Sequence, residues 1–186
     1  PSLGPLLADD MGLGKTVEIL AYLEEVRSRN KDAKVLLVVP ASLLGNWGRE
    51  CMKFTPELDF SIRHGKDAKK KDFPFLTIVT YQGAATSASI KEEKWDLVIL
   101  DEAQNIKNRN TKQTKAIKAL ERKQAIAMTG TPIENSLMNL WSIFDFLSPG
   151  LLGDEKDFES FSDSLGGDKM DNLKRVVTPF ILRRLK

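Results

Sequence analysis

Short apolar runs alternate with longer stretches of helical spacing along most of the chain. Strands that cross over through helices into one sheet leave this pattern, so it predicts an α/β architecture: a central, mostly parallel sheet with helices on both faces. Leu6 to Ala8 reads as a short strand, and Lys15 to about Arg29 as a helix with Val17, Leu20, Ala21 and Glu24 near one face. Val35 to Val39 is a buried strand stopped by Pro40. Ser42 stands where it caps a helix through Trp47 and Cys51, which Gly45 and Gly48 weaken. Phe60-Ser61-Ile62 is a poorer strand; Phe75 to Thr80 has strong strand composition and leads into a helix after Tyr81. Trp95 to Leu100 is a further buried strand, and Asn110-Thr111 opens a helix to about Glu121. Gln124 to Met128 is a strand that stops at Thr129-Gly130-Thr131-Pro132, and Ser136 to Leu147 is a helix with Leu137, Leu140, Trp141 and Phe144 facing the core.

From Ser148 the pattern weakens into Gly, Asp and Ser with short acidic helical stretches, then an apolar and basic tail from Val176 to Arg184. This divides the chain into a main unit, 1–147, and a peripheral segment with a linker, 148–186. A start close to a glycine-rich loop and an end without a turn or cap are expected of a piece of a longer chain. The 186 residues suit one domain. Hydrophobic residues at 41% and charged residues at 29% suit a soluble globular protein. No apolar run approaches the roughly 18 residues of a membrane span, and the opening residues lack the basic start and apolar core of a signal peptide. The single Cys51 excludes an internal disulfide and a cysteine-based zinc site, and suits a reducing compartment. A net charge of +2 does not by itself identify a nucleic-acid partner, so that question falls to local motifs.

Two motifs carry the chemistry. Asp9-Asp10-Met11-Gly12-Leu13-Gly14-Lys15-Thr16 precedes a helix. Gly12 and Gly14 let backbone N–H groups approach phosphate oxygens, Lys15 meets the β and γ phosphates, and Thr16 offers a hydroxyl to magnesium. Asp9 stands at the first glycine of the general pattern, and the bland alternative is a glycine-rich turn before a helix. Asp101-Glu102-Ala103-Gln104 ends an apolar run, at the strand end where open α/β sheets bind ligands. Asp101 is placed to hold magnesium through water, and Glu102 to orient or deprotonate an attacking water. Alone it could be an exposed acidic pair; together the motifs read as two halves of a nucleoside triphosphate site. His64 is not a convincing catalytic residue, Lys69-Lys70-Lys71 reads as a solvated run, and Trp47, Trp95 and Trp141 read as packed core rather than stacking platforms.

The order of six stretches resembles the first RecA-like lobe of the Swi/Snf family of helicase-like, DNA-stimulated ATPases. They are LADDMGLGKT from Leu7, VPASLLGNWGRE from Val39, Thr80-Tyr81-Gln82, DEAQNIKN from Asp101, MTGTPIENS from Met128 and PFILRR from Pro179. DEAQ stands where DEAH is more familiar, and it leaves both carboxylates in place. The resemblance implies a phosphate-loop lobe that binds ATP and Mg2+, with Gln104, Thr129, Gly130 and Thr131 coupling the nucleotide to nucleic acid. It also implies a double-stranded DNA backbone surface at Ser42, Asn46, Thr80, Tyr81, Lys107, Arg109 and Asn135, with Trp47 and Glu134 nearby. A second RecA-like lobe would complete the site, Arg183 and Arg184 belonging to the connection towards it, and a DNA-bound protein is a possible target. Location follows the DNA: nucleoid-associated in the cytoplasm of a bacterium or archaeon, towards which DEAQ and PIENS lean, or nuclear in a eukaryote. An RNA-directed helicase-like ATPase, and a nucleotide- or DNA-binding module with little turnover, stay open as alternatives.

Overall fold

The computed structural model describes residues 4–8, 14–64, 70–130, 137–164, 175 and 178–182. Of the expected site residues, Asp10, Met11, Gly12, Leu13, Thr131 and Asn135 lie outside them, as do Lys69, Glu134, Arg183 and Arg184.

Among the described residues, seven strands form one sheet: β1 (Leu6–Leu7), β2 (Val35–Val39), β3 (Phe60–Arg63), β4 (Leu76–Thr80), β5 (Trp95–Leu100), β6 (Arg122–Met128) and β7 (Ile181–Leu182), in the order β3-β4-β2-β5-β6-β1-β7. Each of these pairings is parallel. The near-continuous apolar runs of β2 and β5 are the mark of strands covered on both faces. Their side chains alternate between two cores. Leu36, Val38, Val98 and Leu100 face one; Val35, Leu37, Val39, Leu97 and Ile99 face the other. Helices α1 (Lys15–Arg29) and α2 (Leu44–Phe54) cover the second core with Ile19, Leu20, Leu23, Trp47 and Cys51. The first is covered by α3 (Tyr81–Thr86), α4 (Ala88–Glu92), α5 (Lys112–Lys118), α6 (Leu137–Leu147) and α7 (Glu155–Asp163), through residues such as Ala84, Ile90, Ile117, Phe144 and Phe158.

The α/β expectation is met, with local corrections. On α1 the buried face is Ile19, Leu20 and Leu23, whereas Val17 is 41% exposed and Ala21 is also exposed. Ser42 is not a helix cap: it lies in a 3-10 turn, Ala41–Leu43, and the residue at the α2 cap position is Leu43, without a side-chain cap bond. Gly48 proves to be a packing residue. A Cβ there would come 2.9 Å from Ile62 Cδ1, so its absence lets β3 approach α2. The weak strand at Phe60 is a full member of the sheet, in register with β4 from Phe60–Leu76 to Arg63–Val79. Thr111 does cap α5, accepting from the Thr114 N–H, but the helix ends at Lys118 so that β6 can begin at Arg122. Within 148–186, Ile181 and Leu182 join the sheet beside β1.

Candidate nucleotide site and nucleic-acid interface

Because the strands are parallel, their carboxyl ends lie along one edge. Register brings Leu100 beside both Val38 and Ala127, and Leu7 beside Met128, so Asp101 and Thr129 emerge next to each other. The Asp101 N–H extends the ladder to the Val38 carbonyl at 2.8 Å, and the Thr129 N–H reaches the Leu7 carbonyl at 2.9 Å. At the same edge Gly14 takes a left-handed conformation, φ 78°, and opens α1 at Lys15. Nothing stands within 4 Å of where a Gly14 Cβ would be. Lys15 and Thr16 thus occupy the first turn of α1, the end whose positive partial charge favours an anion.

Asp101 is the hub. Its Oδ2 accepts from the Trp47 indole N–H at 2.8 Å and its Oδ1 from the Glu102 backbone N–H at 2.9 Å. Burial lifts its pKa; the Glu102 charge adds to the rise, while the Trp47 and Glu102 N–H groups and Lys15 pull against it, and the net direction is up. Each carboxylate oxygen retains an acceptor site for a cation-bound water. Glu102 is the one non-glycine residue with positive φ among those described, at 51°, a left-handed turn that costs roughly 1–2 kcal/mol. Polar contacts hold that turn: the Tyr81 hydroxyl donates to the Asp101 carbonyl at 2.7 Å and approaches the Glu102 carbonyl at 3.4 Å, which also accepts from Asn105 Nδ2 at 2.9 Å. Burial, then the Asp101 and Glu102 charges, push the Tyr81 pKa well above its usual value, so the phenol stays protonated and donates.

From Glu102 a short path crosses to the next strand. Gln104 Nε2 donates to Glu102 Oε2 at 2.6 Å, and the Thr129 hydroxyl donates to Gln104 Oε1 at 2.9 Å. The structure therefore brings Lys15, Asp101, Glu102, Gln104 and Thr129 together. Among the described residues there is no group of three or more His, Cys, Asp or Glu able to hold a metal. One hydroxyl, one carboxylate and phosphate oxygens form the donor set that suits Mg2+, which keeps several waters and takes few protein ligands.

The residues expected on DNA divide. Ser42 and Lys107 are exposed, and Asn46 and Thr80 half-buried, with Thr80 Oγ1 accepting from the Gly83 N–H at 3.0 Å. Tyr81 is corrected: at 4% exposure it points inward and its hydroxyl serves the acidic pair. The Arg109 guanidinium is paired with Glu155 and Glu159 of α7. Trp47 is core, at 1% exposure, as expected, but its bond to Asp101 was missed. The available signal was that a buried indole N–H needs an acceptor, and α2 starts at the edge where Asp101 ends its strand.

Residues 1–186 match the SNF2-related domain. The putative ATP-dependent helicase/translocase YwqA of Bacillus subtilis is 39% identical over 98% of the chain, which covers 21% of that protein. The human DNA excision repair protein ERCC-6-like is 36% identical over 98% of the chain and 17% of its own length. For the ATP-dependent DNA helicase DDM1 of Arabidopsis thaliana the values are 31%, 99% and 28%. The chain thus spans about a fifth of the curated relatives it matches. Among solved structures, the Sulfolobus solfataricus SWI2/SNF2 ATPase core in complex with dsDNA superposes with a TM-score of 0.92 at 41% identity, covering 100% of this chain and 41% of that one. A family match along the whole chain, and a fold shared to this degree, have one explanation: the chain belongs to the SNF2-related domain family, as the N-terminal RecA-like lobe of a SWI2/SNF2 ATPase core.

Proposed function

We propose that this lobe binds ATP with Mg2+ for an ATP hydrolase that double-stranded DNA stimulates and that moves along the duplex, remodelling what is bound there. The observation that carries the reading is the path from Glu102 through Gln104 to Thr129, beside Lys15 and Asp101 at one sheet edge. Lys15 and the N–H groups of the Asp10–Gly14 loop hold the phosphates, and Thr16 and Asp101, through water, hold the cation. A cation held there would supply charge to offset that of the phosphates. Glu102, aimed by Gln104, orients the attacking water and accepts its proton. Thr129, with Gly130 and Thr131, relays the state of Glu102 to the nucleic-acid side. Ser42, Asn46, Thr80, Lys107 and Asn135 supply the backbone contacts, groups able to hold phosphates without reading bases.

In this reading residues 148–186 lead from the lobe towards a second RecA-like lobe that supplies arginines to the transition state. Such an arginine is worth about 10³ to 10⁵ in rate, or roughly 4 to 7 kcal/mol. The 186-residue lobe by itself is then a slow hydrolase. The test compares ATP turnover of the lobe with that of the full-length protein, with and without duplex DNA. The expected result is strong duplex stimulation in the full-length protein alone; equal, DNA-independent rates would sink the motor reading, and preferential stimulation by single-stranded RNA would favour the RNA-directed alternative.

A further inference from the structure

Two neutral donors converge on Asp101 from opposite faces of the sheet. Trp47 comes from α2 in the core that α1 and α2 cover, and its indole N–H meets the carboxylate at 2.8 Å. Tyr81 comes from α3 in the opposite core, and its hydroxyl meets the Asp101 carbonyl at 2.7 Å. Each donor is adjacent in sequence to a residue proposed to face DNA: Trp47 follows Asn46, and Tyr81 follows Thr80. Both side chains are nearly sealed, at 1% and 4% exposure, so neither can exchange its bond for one to water without moving its helix. Thr80 is itself fixed to α3 through the Gly83 N–H, which makes Thr80 and Tyr81 one rigid turn.

We propose that Trp47 and Tyr81 are positioning residues that carry DNA contact on α2 and α3 directly to the acidic pair. Trp47 sets the direction of the Asp101 carboxylate and Tyr81 holds the left-handed turn that aims Glu102. This route is separate from the Gln104–Thr129 path, since it enters through the Asp101 side chain and backbone rather than through Glu102 Oε2. It rests on the reading of Asn46 and Thr80 as DNA-facing. A shift of either helix on DNA binding alters the acidic pair in one step, with no intervening residue.

The test uses the full-length protein carrying Tyr81→Phe or Trp47→Phe. Three quantities are measured: the Kd for duplex DNA, turnover with and without duplex, and Mg2+-dependent binding of a fluorescent non-hydrolysable ATP analogue. Replacing an outer-shell partner typically costs about ten- to a hundredfold in metal affinity or activity. Tyr81→Phe is expected to lower the ratio of stimulated to basal turnover about tenfold while the duplex Kd stays within about twofold. Trp47→Phe is expected to weaken Mg2+-dependent analogue binding about tenfold. A merely structural role would lower thermal stability and scale both turnover rates together, leaving the ratio unmoved. That result, or a loss of duplex affinity in Tyr81→Phe as large as the loss of stimulation, overturns the proposal. Should Trp47→Phe fail to fold, the near-isosteric Tyr81→Phe decides. Wild-type turnover indifferent to duplex would instead overturn the functional reading, and this coupling with it.

Discussion

Gln104 shows how much one side chain decides at this site. Its amide is bipolar: the NH2 donates to Glu102 and the carbonyl accepts from Thr129. Histidine can serve both ends, donating from one ring nitrogen and accepting at the other, so Gln104→His is expected to retain most DNA-stimulated turnover. Gln104→Glu places a second carboxylate at the 2.6 Å position beside Glu102 Oε2, where two like charges do not both ionise. The pair then shares a proton, and turnover at neutral pH is expected to fall at least about tenfold, the lower end of general-base contributions being nearer a hundredfold. The loss eases as the pH rises, because the shared proton then leaves the pair and frees Glu102 to accept one from water. A pH profile parallel to wild type would refute this account. The place of Asp101 and Glu102 at the end of β5 was legible in the sequence because two carboxylates after an apolar run have a recognisable spacing. The Trp47 bond and the left-handed Glu102 were not: both depend on how α2 and α3 approach the end of β5, which no local pattern encodes. Tyr81 was misplaced for the same reason, its neighbour Thr80 being near the surface while its own ring turns into the core.

At the scale of elements, the apolar runs announced β2, β4 and β5 because strands buried on both faces need little else to be recognised. Helix α1 was found but its face was rotated. Val17 and Ala21 fit an apolar stripe as well as Ile19 and Leu23 do, and only the seat of Lys15 and Thr16 at the sheet edge decides between them. The opposite end of β5 carries a stability device of its own. Asp96 accepts from the Lys34 N–H at 2.8 Å and pairs with Lys123 Nζ at 2.9 Å. Partial burial raises its pKa, but these partners outweigh burial and the net shift is downward. A depressed folded-state pKa means stability that is present above the ordinary aspartate range, near about 4, and is lost as pH falls through the lower folded value. Asp96→Asn is therefore expected to cost about 1 kcal/mol at pH 7, the difference from wild type closing in acid, as chemical denaturation at several pH values would show. Five residue steps along the strand, about 16 Å, separate Asp96 from Asp101, so ATP turnover is expected to be unchanged. A pH-independent deficit would mean that packing rather than the charge was lost.

For the molecule as a whole, parallel pairing gives the two edges of the sheet different residents: strand starts tie elements together, as at Asp96, and strand ends carry the candidate site. With a net charge of only +2, binding to a polyanion depends on which individual cations are free to meet phosphates at that second edge. Lys107 and Arg109 stand two residues apart beyond the acidic pair, and the sequence gives them equal claim. Lys107 is exposed, whereas Arg109 is held by two α7 carboxylates. A phosphate contact releases counterions, so losing one lowers the slope of log affinity against log salt by about one. Lys107→Ala in the full-length protein is expected to show that reduction in fluorescence anisotropy titrations with duplex DNA at several salt concentrations. Arg109→Ala is expected to leave the slope as in wild type and to loosen α7, seen as a lower melting temperature. If Arg109→Ala flattens the slope instead, DNA must displace Glu155 and Glu159 from the guanidinium, and α7 becomes an acidic competitor for the DNA surface rather than a brace.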